Sequence, residues 1–475
     1  MSEGFLQGER LDIEAVFAAW SDRTALVAPG VNLDFAGLRD ELARVIAVLE
    51  GLGAGPGGMV AVHLKNSPLN LYLLLAAWVM GFTLVNLDPK APAGRVPAGI
   101  RPDFVVSRET GADWGAAQVI APEAFAAARP EPAPLAPIPL DREATVVFTS
   151  GSTGPPKGVV HTLRNLYYSA LGTNEFLKLR PGDRWLVSLP LFHVGGLLIF
   201  VRTFLAGAAA MMHDEPGRLT EALTAFRPSV ISVVPTQLAR LLESPETARR
   251  LAACRAVLLG GGPCPRHLVD KALDMGVPVL PTYGSTEACA MVTAVSPKAP
   301  RQDFHTAGKA LPYRQIAVDQ EGVILIGGRT LFSRYIAEGR EIERARGGKF
   351  ATSDLGTLDP AGNLTVLGRR DQVFISGGEN INPNEIENAL AETGLVEEAV
   401  VVPAPHREFG RVAWAFVKVK GGLDEDAMKA ALKKILPPYK IPKKFLPFPE
   451  GGPGEGMKRS RKELEILAAM LQGKK

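Results

Sequence analysis

Thr149-Ser150-Gly151-Ser152-Thr153-Gly154-Pro155-Pro156-Lys157 decides how this chain is read. The apolar run Ala144 to Phe148 precedes it and predicts a buried strand. Glycines let backbone N–H groups approach an anion, hydroxyls add donors, and one lysine adds a point charge. Such a loop at a strand end is suited to holding phosphates. It is not a Walker A loop, which needs Gly, four residues, then Gly-Lys-Ser/Thr. Pro156 stands where the second glycine belongs, and Gly158 rather than a hydroxyl follows Lys157. P-loop ATPases and GTPases are therefore disfavoured.

From about residue 143 to 290 strand-like and helix-like segments alternate. Helical character follows from Leu163, and Trp185 to Leu189 reads as a strand. Val230 to Val234 is strand-like, then Gln237 to Glu243 is amphipathic. Ala256 to Leu259 runs into Gly260-Gly261-Gly262-Pro263; the helix-like His267 to Met275 and the strand-like Val277 to Leu280 follow. The latter leads to Tyr283-Gly284-Ser285-Thr286-Glu287. This alternation predicts parallel βαβ units, whose ligands sit beyond the carboxyl ends of the strands. Segments 149–157, 260–263 and 283–287 are thus predicted to be loops meeting at one crevice. Residues 23 to 107 repeat the style and predict a second α/β layer. Residues 127 to 140 read as a Pro/Ala-rich connection, and 307 to 368 as short β runs with turns. Beyond Gly368-Arg369-Arg370-Asp371, helix Pro383 to Glu392, strands Glu398 to Val402 and Ala413 to Val419, and helix Asp424 to Ile435 predict a small α+β unit.

With 475 residues, 46% of them apolar, the chain can bury large cores. Lys plus Arg is 53 against 50 acidic residues, so charge gives no argument for nucleic acid or an anionic membrane as partner. The basic run Lys458 to Lys462 reads, on charge alone, as a solvated tail. Cys254, Cys264 and Cys289 form no CxxC pair, which argues against a zinc site or disulfide framework and fits a reducing cytoplasm. Met1 to Ile13 lacks the apolar core of a signal peptide. The longest apolar run, Leu71 to Val85, is short for a bilayer span and predicts a buried helix leading into a strand.

At this point the motifs match a family. Phe148 to Val159 resembles the phosphate loop of the acyl-adenylate-forming enzymes: acyl-CoA synthetases, adenylation domains and luciferases. Tyr283 to Glu287 is similar to their second nucleotide motif, and Thr352-Ser353-Asp354-Leu355-Gly356 to their ribose-binding segment. Gly368 to Gln372, followed by Ile375-Ser376-Gly377-Gly378-Glu379-Asn380-Ile381, resembles the hinge and the start of their small domain. The resemblance implies an α/β fold. A large N-terminal domain (1–368) would hold two doubly wound sheets and a small β-barrel-like part. A hinge (369–371) would join it to a small mobile α+β domain (372–475).

It also implies two half-reactions. A carboxylate attacks the α-phosphate of ATP and expels pyrophosphate; a thiol, usually that of coenzyme A, then displaces AMP. By motif match, Thr149, Ser150, Gly151, Ser152, Thr153, Gly154 and Lys157 would grip the β- and γ-phosphates. Thr286 would meet the α-phosphate, and Glu287 would hold Mg²⁺. Gly261, Gly262, Tyr283 and Gly284 would frame the adenine. Asp354 would accept from the ribose hydroxyls, with Arg369 in support; without the motif Asp354 reads as a turn residue. Lys458 would stabilise charge on the α-phosphate, although Met457 stands where the family has glycine; Lys462 is its nearest rival. Asp371 matches the hinge, and Gly377 and Gly378 would lie near the pantetheine of coenzyme A.

His193, Val194, Gly195 and Gly196 match the acyl pocket, with His193 at its mouth. The Phe192-His193-Val194-Gly195-Gly196 and Ile375 to Ile381 strings are most similar to the o-succinylbenzoate–CoA ligases of menaquinone synthesis. Aroyl-CoA ligases share the second string, medium-chain acyl-CoA synthetases are a third option, and a stand-alone module loading a carrier protein is a fourth. Dimers are common in the family, so a homodimer is a further expectation.

Overall fold

The computed structural model describes residues 4–129, 133–149, 157–213, 218–262, 264–337, 340–342, 348–419, 421–449 and 461–472. Two large sheets dominate. The first has eight strands in the order 340–342, 334–337, 158–162, 143–148, 83–86, 59–63, 104–107, 118–120. From Glu143–Phe148 to Gln118–Ile120 its neighbours are parallel. The second has nine strands, 309–310, 290–294, 279–285, 256–259, 230–233, 184–186, 209–211, 24–28, 31–34, parallel between its antiparallel edges.

The helix Pro68–Met80 shows why the apolar run 71–85 stays inside. Asn70 Oδ1 accepts from the Ser67 N–H at 3.1 Å, Pro68 begins the first turn, and Gly81 at φ 85° ends the helix. Thirteen residues span only about 20 Å, too short for a bilayer. No helix among the described residues is long and apolar enough to cross a membrane. Helices Pro68–Met80, Leu163–Leu177 and Val194–Ala206 are buried on nearly every face, so they lie within one continuous core. Phe204 is its focus, with Phe17, Phe35, Trp78 and Phe200 rings 5.3 to 6.3 Å away.

A four-stranded antiparallel sheet (314–318, 323–328, 349–358, 364–369) leans on the second large sheet through its own apolar cluster around Ile324 and Ile326. Beyond it, strands Glu398–His406, Gly410–Lys418 and Lys444–Pro447 form a separate sheet. One face buries helices Pro383–Glu392 and Glu425–Leu432; the other buries Arg461–Gln472. These two cores contain no residue before Phe374.

Two expectations are corrected here. The strand Glu143–Phe148 is not followed by a crossover helix: Gly158–Thr162 returns beside it, antiparallel, so 149–157 joins a hairpin. The five residues 158–162, too few for a pattern to be read, form a strand buried on both faces. Nor is Tyr283-Gly284-Ser285 a loop. The strand Val279–Ser285 runs through it, paired with Ala290–Ala294, and the turn begins at Thr286.

Candidate active site

Elements of both large sheets meet around Glu287. Its carboxylate Oε1 accepts from the Tyr335 hydroxyl at 2.9 Å, and its backbone carbonyl accepts from Phe332 N–H at 2.8 Å. Tyr335 comes from the edge strand Arg334–Ala337 of the eight-stranded sheet. The Lys157 ammonium stands 5.6 Å from the Tyr335 ring centroid. That cation–π contact places the last residue of the hydroxyl-rich loop beside the turn Thr286–Ala288. Burial and the Glu287 charge push the Tyr335 phenol pKa upward, so it is a permanent donor.

A second group adjoins the first. The Tyr283 hydroxyl donates to Asp354 Oδ2 at 2.8 Å. Asp354 lies opposite Arg369 in the strand pair 349–358 and 364–369, and Arg369 Nη1 is 3.7 Å from Asp354 Oδ1. Arg369 also forks onto Asp371 at 2.9 and 2.8 Å. Burial, then the Asp354 carboxylate, raises the Tyr283 pKa. Asp354 is not a turn residue, as its composition suggested, but part of a ten-residue strand with register shifts on both sides. Such bulges redirect side chains, and here one carboxylate is turned toward Tyr283. Glu287 acts on both Tyr283 and Arg369, so the groups form one polar band.

Glycine is obligatory at two points of this band. A Cβ on Gly284 would lie 2.1 Å from Ala290 O, and one on Gly260 would lie 2.4 Å from Thr282 Oγ1. Gly261, at φ 80°, and Gly262 are exposed beyond the strand Ala256–Leu259, against the Tyr283 strand. The ends of the three predicted segments therefore converge: Lys157, Gly260–Gly262 and Thr286–Glu287. Thr149 donates its N–H to Lys157 O at 3.0 Å and closes the loop's base. Ser150, Gly151, Ser152, Thr153 and Gly154 lie outside the described residues, as do Met457 and Lys458.

His193 caps the start of helix Val194–Ala206, exposed, its ring 4.4 Å from that of Phe192. Asn66 holds the preceding corner through Leu189 O at 3.0 Å and Leu191 N at 2.9 Å. Val194 and Gly196 are buried, and a Cβ on Gly196 would lie 2.1 Å from Pro190 O. Gly195 is partly exposed. Gly377 and Gly378 form the two-residue turn of hairpin 374–381, both at positive φ, with Gly377 packed on Phe409.

Arg202, on the same helix as His193, escaped the motif reading. It is 2% exposed, its guanidinium is 5.3 Å from the Trp185 ring, and Nε and Nη2 have no partner among the described residues. Burial, with the nearby Arg314 charge, lowers its pKa to about 9, which still leaves it cationic at neutral pH. A lone arginine in the apolar run 194–206 was the available signal. Tyr335 carried none, because no motif contains it.

The AMP-binding enzyme family matches residues 13–336, and its C-terminal domain family matches 385–451. The chain belongs to the AMP-binding enzyme family. The 2-succinylbenzoate–CoA ligase of Bacillus anthracis is 32% identical over 462 residues, covering 94% of this chain and 96% of the relative. The o-succinylbenzoate CoA synthetase of Bacillus subtilis, solved with its acyl-adenylate intermediate, overlays with a TM-score of 0.82 at 29% identity, covering 95% of each chain. The same synthetase with ATP and magnesium ion overlays with a TM-score of 0.79 at 28% identity, covering 92% of this chain and 95% of that one. The polar band joins Glu287, Tyr283, Asp354 and Arg369, all of which stand in the segments that resemble the family's nucleotide and hinge motifs.

Proposed function

We propose that this enzyme is an ATP-dependent carboxylate–CoA ligase that converts o-succinylbenzoate, ATP and coenzyme A to o-succinylbenzoyl-CoA, AMP and pyrophosphate, a step of menaquinone synthesis. The observation that carries the substrate assignment is Arg202. Its buried guanidinium keeps two nitrogens without partners among the described residues, and a buried charge so left is costly unless an anion meets it. o-Succinylbenzoate has two carboxylates. One is activated, and the other supplies the counter-charge that a benzoate or fatty acid lacks. The Bacillus anthracis relative is a ligase of this acid by name, and the Bacillus subtilis structure holds its adenylate.

In this reading Asp354 accepts from the ribose hydroxyls, steadied by Arg369, and Tyr283 with Gly261, Gly262 and Gly284 frames the base. Thr286 meets the α-phosphate. Glu287 suits Mg²⁺: it is one hard oxygen donor, fixed by Tyr335, with no metal-binding cluster of acidic residues among the described ones. Mg²⁺ characteristically takes few protein carboxylates and fills its shell with phosphates and water. When bound, it neutralises phosphate charge. Lys157 and the hydroxyls from Thr149 to Thr153 hold the β- and γ-phosphates that leave. The acid's carboxylate oxygen attacks the α-phosphorus, and the bond to the bridging oxygen breaks. The reaction is governed by positioning and charge neutralisation. The thiolate of coenzyme A then attacks the acyl carbon and AMP departs.

We further infer a division into a large domain (1–368), a hinge (369–371) and a small domain (372–475), because the cores on either side do not mix. The small domain brings Lys458 for adenylation, and Gly377 and Gly378 for the thiol. A cytoplasmic setting is consistent with three free cysteines, and sedimentation of the pure enzyme decides the expected homodimer.

Pyrophosphate release measured with o-succinylbenzoate, benzoates and medium-chain fatty acids, each with ATP, Mg²⁺ and coenzyme A, tests the assignment. Turnover is expected with o-succinylbenzoate. Arg202→Met should raise KM for that acid at least tenfold, a loss typical of one charged hydrogen bond, while sparing KM for ATP. No turnover with o-succinylbenzoate overturns the reading.

A further inference from the structure

The turn that carries Thr286 and Glu287 closes through two successive non-glycine residues at positive φ, Cys289 at 57° and Ala290 at 81°. Left-handed backbone is unfavourable for both, and it persists only where the surroundings impose it. The surroundings are specific. Ser169, fully buried on helix Leu163–Leu177, donates its hydroxyl to Cys289 O at 2.5 Å. Arg314, 7% exposed, donates from Nε to Met291 O at 2.6 Å and from Nη2 to Ser169 O at 2.8 Å and Ser169 Oγ at 3.1 Å. Its Nη1 donates to Pro312 O at 2.8 Å. Every oxygen it meets is neutral.

The helix makes room for this side chain. A Cβ on Gly172 would lie 2.4 Å from Arg314 Nη1 and 2.5 Å from Pro312 O. A buried guanidinium without a carboxylate is an unfavourable way to fill space, which a methionine would fill without desolvating a charge. What the arginine supplies is a rigid fork of donors, which reach the strand at Met291, the loop at Pro312 and the helix at Ser169 behind the turn.

We propose that Ser169 and Arg314 are positioning residues that hold the strained Thr286–Ala290 turn so that Glu287 and Thr286 present their oxygens to magnesium nucleotide without rearrangement. The proposal rests on the assignment of Glu287 and Thr286 made above. Neither residue touches substrate; they act through the backbone at Cys289 and Met291. The Cys289 N–H, which donates to Thr286 O at 3.0 Å, reports the state of the turn.

The test uses the full-length enzyme with Ser169→Ala, and Arg314→Lys as the second variant. In the metal-free enzyme, hydrogen exchange of the peptide spanning 286–291 should quicken roughly five- to tenfold, the loss of about one buried hydrogen bond. Calorimetric titration should show the Kd for ATP rising by a similar factor with Mg²⁺ present and by clearly less without it, where only the Thr286 contact is disturbed. Unaltered exchange at the turn overturns the proposal. So does a Kd that rises equally with and without Mg²⁺, which is general loosening. If Arg314→Lys does not fold, Ser169→Ala decides. Glu287→Gln separates the two levels. If it leaves the effect of Mg²⁺ on ATP binding intact, the assignment of Glu287 fails; if it abolishes that effect while Ser169→Ala does not weaken it, the positioning role alone fails.

Discussion

His161 sits in mid-strand between Lys157 and Thr286, with none of its ring exposed. Neither nitrogen finds a well-aligned partner among the described residues. Burial lowers its pKa to about 4, and the Thr286 backbone only partly offsets the shift. The folded enzyme therefore keeps this imidazole neutral, whereas the unfolded chain binds a proton below its ordinary value of 6.5. Stability present above that pH is lost as pH falls from about 6.5 toward about 4, at up to about 1.4 kcal/mol per unit. Denaturant unfolding at pH 7 and pH 5 should show His161→Leu losing about 2 kcal/mol less than wild type between the two. An equal loss in both proteins sinks this account. Sequence reading passed His161 over, because burial on both faces of a strand cannot be read from a run of five residues.

Among elements, the strand Val279–Ser285 shows best how local sequence and packing divide the work. Its apolar start was legible. Its continuation through Tyr283-Gly284-Ser285 was not, because Gly and Ser signal a loop unless a partner strand supplies the ladder. Ala290–Ala294 supplies it and requires Gly284, whose missing Cβ admits Ala290 O. Gly284→Ala is therefore expected to cost at least about 2 kcal/mol in thermal unfolding, as overpacking against backbone does. It should also depress adenylation, since the Thr286–Glu287 turn shifts with it. Wild-type stability in that variant would show that the close approach is relaxed in solution. The small domain was more legible: helix Pro383–Glu392 has its predicted bounds, with Pro383 opening it and Asn382 capping it. Its strands run further than the apolar core predicted, to His406 and from Gly410. Cross-strand pairing carries the polar ends that propensity alone would release.

At the scale of the molecule, two bodies with separate cores face each other through polar contacts such as Arg266–Glu392 at 3.3 Å, both side chains substantially exposed. Exposed pairs of this kind contribute about 1 kcal/mol or less, too little to lock one arrangement. Two half-reactions served by different faces of one small body are thus compatible with the contacts. Lys458→Ala should abolish pyrophosphate exchange with the acid yet leave thioester formation from supplied acyl-adenylate within about threefold, because only the first half-reaction needs the added charge at the α-phosphate. Equal loss in both half-reactions would assign the lysine to folding or to a shared step. Sequence by itself determined the chemistry-bearing residue types, their order along the chain, the α/β class and the small α+β unit. All of these are properties of neighbouring residues, encoded within a few turns of backbone. Tertiary structure alone decided that Tyr335 holds Glu287, that Tyr283 bonds Asp354, and that Arg202 is buried with two nitrogens lacking partners among the described residues. Those facts join residues 48, 71 and more positions apart, and no local propensity specifies which distant oxygen a buried donor will meet.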